Sequence, residues 1–161
     1  MTAYQIRPYT PADLDAVVDL SLAAWAPVFD SFAQVLGPRI FARLYPDWRA
    51  RQRATVVEAC AEVGHHVWVA GVGGRVVGFI VVILDVTPGE GEVDLLAVHP
   101  AYQNAGIGTA LNTFALEQMR AAGMTLAVVA TGGDPGHAPA RRSYEKAGYT
   151  GLPLVRYYRA L

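Results

Sequence analysis

Residues 65–84 read HHVWVAGVGGRVVGFIVVIL. Two runs rich in β-branched and aromatic residues meet at Gly73 and Gly74. This predicts a β-hairpin, because a two-residue turn needs positive φ, which glycine adopts without strain. The next apolar run, EVDLLAVHP at 92–100, predicts a further strand that Pro100 ends. An antiparallel sheet is therefore the centre around which the chain must arrange itself.

Helical periodicity surrounds that sheet. Thr10, Pro11 and Asp13 form a helix start, and Leu14, Val17, Val18 and Leu22 recur at helical spacing up to Trp25. Residues 26–47 are irregular and aromatic, and a second helix is expected over 48–63, ending at Gly64. GIGTALNTFALEQMRAAG at 106–123 predicts an amphipathic helix with Ile107, Leu111, Phe114 and Ala115 on one face. LAVVA at 126–130 is a strand, APARRSYEKAG at 138–148 a short helix, and LVRYYRAL at 154–161 a last strand that could pair with another copy. The order predicts one α+β domain over 1–161 with a mixed sheet.

The chain has 161 residues, 53% of them hydrophobic, with a formal net charge of −1. A core of useful size is expected, and a sequence-independent nucleic-acid binder is not, since that needs a basic face. The N-terminus lacks a basic-then-apolar signal pattern, and the longest apolar run, Val76 to Leu84, is too short for a bilayer. A cytoplasmic protein without a membrane partner is the expectation. Cys60 is the single cysteine, read as a small buried hydrophobe. His65 and His66 are adjacent and fall on opposite faces of a strand, so no metal is expected.

The segment between strand and helix holds the chemistry. Gly106 and Gly108 sit where a strand hands over to a helix. Glycine lets a ligand approach the backbone, and a helix N-terminus offers free N–H groups and partial positive charge. Such a turn suits a phosphate or diphosphate. It is neither a dinucleotide fingerprint, whose third glycine position is Leu111 here, nor a P-loop, which needs Gly-Lys-Ser/Thr.

Gln103-Asn104-Ala105-Gly106-Ile107-Gly108 resembles the Gln/Arg-x-x-Gly-x-Gly/Ala signature of the GCN5-related N-acetyltransferases, and ARRSYEKAGY is similar to that family's second motif. The resemblance implies a three-layer domain with a central mixed, mostly antiparallel sheet flanked by helices. It implies acetyl-CoA as co-substrate. The N–H groups of Gln103, Asn104, Ala105, Gly106, Ile107, Gly108 and Thr109 would cradle the diphosphate. The backbone of Leu96, Ala97 and Val98 would pair with the pantetheine arm like an added strand.

Acetyl transfer to an amine needs a proton acceptor, because an amine of pKa ~10.4 is mostly charged at neutral pH. The resemblance implies Tyr144 as the acid that protonates the leaving thiolate. For the base, Glu92 and Asp94 are read as sharing a strand face with Leu96 and Val98. Glu92 lies eleven residues before Gln103, the spacing of a strand glutamate base in some family members. Asp94 could instead bind the amine or act on a water. His137 stands where many relatives have Asn, and either a pantetheine contact or a base role fits it. The resemblance implies that the first two helices and their linker wall the acceptor site, which here carry Phe29, Phe32, Phe41, Tyr45 and Trp48, with Asp30 as an anchor for a cation. A small-molecule primary amine is the first expectation. A peptide or protein amine, or a CoA-binding module without turnover, are the alternatives.

Overall fold

The structure is a computed structural model and describes residues 3–161. The hairpin forms as its sequence dictates. β2 (His65–Val72) and β3 (Arg75–Asp85) pair antiparallel through a turn in which Gly73 and Gly74 have φ of 56° and 81°. β1 (Gln5–Pro8) adds to the outside of β2, and β4 (Glu90–Val98) to the other side of β3, both antiparallel. β5 (Leu126–Val129) pairs parallel with β4 and closes the order β1-β2-β3-β4-β5.

Helices cover both faces. α3 (Ile107–Ala121) lays Ile107, Leu111, Ala115 and Met119 against Val77, Ile80, Val82, Val93 and Val98. On the opposite face, α1 (Leu14–Leu44) and α2 (Trp48–Ala61) pack Val17, Val18, Val56 and Ala59 against Val69, Phe79, Val81 and Ala97. α4 (Ala138–Lys146) sits beside α3, joined to it by a hydrogen bond from Asn112 Nδ2 to Ser143 Oγ at 3.2 Å.

α1 runs further than its sequence suggests. The expected helix stops near Trp25, yet the observed one passes through Pro27 and reaches Leu44, with a break at Gly37 (φ 74°). Pro27 removes one intrahelical N–H, and packing of the aromatics that follow outweighs that loss. Phe29 stacks on Trp48 at 4.4 Å and Phe32 on Tyr45 at 5.5 Å. Pro11–Leu44 is long and apolar enough to cross a membrane by composition alone, with mean hydropathy 1.3. Its buried residues nevertheless pack on the sheet.

The last strand is not formed. Residues 150–161 belong to no helix or strand and stay exposed, with Leu152, Leu154, Val155 and Tyr157 in solvent. Alternation reports how side chains would sort once a strand is paired, and it does not supply a partner. The expected pairing of this strand with another copy loses its element as well.

The start of α1 is tied to the sheet edge. Asp13 accepts two bonds from Arg7, at 2.7 and 2.8 Å, and one each from Thr10 N and Oγ1, at 2.8 and 3.0 Å. The hydrogen-bonded Arg7 guanidinium draws the Asp13 carboxyl down to about 2, against the cost of burial. Its stabilisation is therefore complete above pH 4 and lost as pH falls through about 2. Arg7 is partly exposed, so screening limits the effect. Asp13→Asn is expected to cost about 1–2 kcal/mol at pH 7. The gap between the two melting temperatures should close as pH falls from 4 to 2, which thermal melts across that range would check.

Candidate active site

β4 carries the feature that organises the site. Val81 pairs with Leu95 and Val82 with Val93, so Asp94 is an extra residue in β4. Such a bulge shifts the in-out alternation by one. Val93, Leu96 and Val98 face α3, whereas Leu95 and Ala97 face α1 and α2. The expected shared face of Glu92, Asp94, Leu96 and Val98 is therefore not formed. Glu92 neighbours Val93 and takes the face opposite to it, away from Leu96 and Val98. Both carboxylates are exposed.

The bulge also marks where the sheet opens. β4 pairs with β5 only from Glu90 to Val93, and beyond it the two strands part. Leu95 to Val98 keep β3 on one side and, among the described residues, have no strand on the other. This leaves a strip of β4 backbone, including Leu96 and Ala97, open to an extended ligand.

After β4 the chain turns tightly. Tyr102 N bonds to His99 O at 2.8 Å, and Gln103 N to Pro100 O at 3.3 Å. The Gln103 side chain turns back and donates from Nε2 to Val98 O at 2.9 Å. Gln103 thus fastens the turn to the end of β4, and its own N–H is spent. Asn104 and Gly106 then take φ of 61° and 81°, and α3 begins with Ala110 N bonded to Gly106 O at 2.9 Å. Among the described residues, the N–H groups of Asn104, Ala105, Gly106, Ile107, Gly108 and Thr109 have no partner. Successive free N–H groups at a helix N-terminus make an anion cradle. The buried Ile107 side chain anchors it to the core.

α4 brings Tyr144 to the same side of the sheet as α3. The ring is half-buried and meets Tyr149 edge-on at 5.8 Å. Burial, with Tyr149 beside it, pushes the phenol up to about 12. Tyr144 therefore holds its proton throughout the neutral range, as an acid must. Cys60 is the opposite of an activated nucleophile, since burial pushes its thiol up to about 11.

The loop before α4 holds a group that sequence reading found only in part. His137 Nδ1 lies 2.5 Å from Asp134 Oδ1, and Ser31 Oγ donates to Asp134 Oδ2 at 2.7 Å. Burial pushes the Asp134 carboxyl up, but the bonds from Ser31 and His137 outweigh it and hold it below the usual range. Asp134 precedes His137 by three residues, and the sequence reading passed over it as part of a loop. Ser31 stands 103 residues before Asp134, and no sequence signal connects them. The aromatic cluster begins here, with Phe32 at 5.5 Å from the His137 ring. Asp30 is exposed and belongs to no ion pair among the described residues.

A strand that opens beside a second strand, followed by an N–H cradle, is the arrangement expected for a CoA thioester. The model of the acetyltransferase (GNAT) family matches residues 30–149. The chain is a GNAT acetyltransferase.

Solved structures of this GNAT fold agree along nearly the whole chain. A GNAT-family protein from Desulfovibrio desulfuricans is 24% identical, covering 94% of this chain and 87% of its own, with a TM-score of 0.69. The ribosomal-protein-S18-alanine N-acetyltransferase of Escherichia coli is 17% identical over 94% and 80%, with a TM-score of 0.70. The aminoglycoside N-acetyltransferase AAC(6')-Iy, bound to a CoA bisubstrate analogue, is 16% identical over 99% of both chains, with a TM-score of 0.66. No curated protein matches the sequence. The GNAT sheet is mixed and mostly antiparallel between helical layers, as expected from the sequence.

Proposed function

We propose that this acetyltransferase moves acetyl from acetyl-CoA to a primary amine of a small molecule, by direct attack within a ternary complex. The observation that carries this reading is the aromatic wall of Phe29, Phe32, Tyr45 and Trp48, which reaches His137 at the start of α4. Packed rings present a shaped, desolvated surface that suits a compact acceptor. The solved relatives include both an aminoglycoside and a ribosomal-protein acetyltransferase, so the substrate class is inferred from the wall and not from them.

The cradle of Asn104 to Thr109 fits a diphosphate, and the open β4 backbone at Leu96 to Val98 fits a pantetheine arm. Tyr144 protonates the departing thiolate. Glu92 and Asp94, exposed on β4, draw the cationic acceptor by charge. With the Cys60 thiol protonated in α2, a ternary complex is favoured over an acetylated enzyme. The test is CoA release, read with a thiol dye, across small amines and short peptides. Turnover of small amines at least tenfold faster than of peptides supports the reading. The reverse order replaces it with a peptide acetyltransferase, and binding of acetyl-CoA without turnover replaces it with a binding module.

A further inference from the structure

Amine acetylation requires the acceptor ammonium to lose a proton before its nitrogen attacks, and one group is built for that task. Asp134 is held on every side. Oδ1 takes His137 Nδ1, and Oδ2 accepts from Ser31 Oγ at 2.7 Å and from Gly136 N at 3.0 Å. Gly136 N also reaches Ser31 Oγ at 3.0 Å. Arg141 Nη1 donates to Gly132 O at 2.6 Å and to Asp134 O at 2.8 Å, which pins the loop backbone.

The loop packs tightly on itself at Gly132 and on α1 at Gly136, two positions that lack a side chain. A Cβ at Gly132 would lie 2.5 Å from His137 Nδ1, and one at Gly136 would lie 2.7 Å from Ser31 Cβ and 3.0 Å from Val28 Cα. The contact of Nδ1 with Asp134 Oδ1 orients the ring of His137. A carboxylate on Nδ1 keeps the proton there and leaves the lone pair on Nε2. Nε2 has no partner among the described residues, and the side chain retains 16% of its exposure.

We propose that His137 is the general base of this acetyltransferase, receiving the acceptor's proton on Nε2, with Asp134 as its positioning residue. The inference rests on the amine-acetylation reading above. The ammonium passes one proton to Nε2, directly or through one water. The freed nitrogen pair forms the N–C bond at the thioester carbonyl carbon, and the C–S bond breaks with its pair on sulfur. Sulfur takes the Tyr144 proton, and the second proton on nitrogen restores the phenol. The imidazolium returns its proton to solvent. His137 caps α4 and Tyr144 lies in its second turn, so one short element carries both groups.

The charged and titratable groups near His137 are few. Asp134 lies beside it and Arg141 is bonded to the same loop. From α1 comes Tyr45, stacked on Phe32, and around Tyr45 stand Arg51 of α2 and Arg156 and Tyr158 of the C-terminal segment.

The test is the pH profile of kcat/KM for two amines of different pKa, so that the acceptor's own ionisation is separated from the enzyme's. Wild type should show an acidic limb of lost activity that the acceptor's own ionisation does not account for. His137→Gln should abolish that limb and lower kcat about 10²-fold, with KM for acetyl-CoA within about threefold. Asp134→Asn should move the limb to lower pH, a change that a purely structural role would not produce. In wild type, the His137 imidazole followed by NMR should titrate at the midpoint of the limb, and this reading needs no variant to fold. A retained limb with near-normal kcat in His137→Gln overturns the assignment. So does a rise in acetyl-CoA KM alone, or a mismatch between NMR and kinetics. Wild type that binds acetyl-CoA yet turns over no amine overturns the acetylation reading together with the base, whereas wild-type turnover with the limb retained overturns the base alone.

Discussion

Tyr144→Phe is expected to lower kcat about 10²-fold while KM for acetyl-CoA stays within about twofold. The substitution removes one oxygen and keeps the ring that meets Tyr149 edge-on. Packing of α4 against α3 through Asn112 and Ser143 is untouched. What disappears is the proton for the departing thiolate. A thiol of pKa ~8.5 can leave without it, so the reaction is slowed and not abolished. An acid must be protonated to act, and burial pushes Tyr144 up to about 12. Its loss of a proton therefore sets no alkaline limb below about pH 10, and any limb seen there belongs to another group. Initial rates of both proteins from pH 6 to 10 would decide this. A Phe variant as fast as wild type removes Tyr144 from the mechanism.

The second large effect is expected at the cradle, and the two glycines there separate two causes. A Cβ at Gly108 would meet Val98 Cγ2 at 3.7 Å and Ser143 Oγ at 3.8 Å, which are ordinary contacts. The fold should accept Gly108→Ala with an unchanged melting temperature. A diphosphate resting on the N–H groups would still be pushed away, and acetyl-CoA KM should rise tenfold or more, about 1.4 kcal/mol. Gly106 has open space around it but a φ of 81°. Gly106→Ala is expected to cost about 1 kcal/mol of stability through strain, with a similar rise in KM as the turn relaxes. Calorimetric melts beside acetyl-CoA titrations separate the two. An unchanged KM in Gly108→Ala would show that the glycine serves the packing of α4 instead of a ligand.

These expectations draw unequally on sequence and structure. The hairpin, the strand before Pro100, the glycine turn and the amphipathic face of α3 were legible because each is a local rule. Turn conformation, alternation and helical period act over a few residues, and neighbours supply the information. The same locality explains what was misread. α1 was expected to end before Pro27, since the cost of proline is visible in the sequence and the repayment by Trp48 and Tyr45 is not. LVRYYRAL carried the alternation of a strand, yet an edge to pair with is a property of the whole sheet.

For the site, the division follows the same line. Sequence alone determined a glycine-rich strand-to-helix turn able to hold an anion, a tyrosine in a later short helix, and acids along the strand before the turn. Tertiary structure decided how they work together. One extra residue, Asp94, reverses the alternation of β4, marks where the sheet opens beyond Val93 and separates Glu92 from the face of Leu96 and Val98. Folding also brings Ser31 to Asp134 and orients the imidazole of His137, a candidate whose role the sequence left open. A bulge is set by the register of two strands, and a hydrogen bond across 103 residues by the packing of a loop on a helix. Neither leaves a periodicity in the chain, because both depend on where distant segments come to rest.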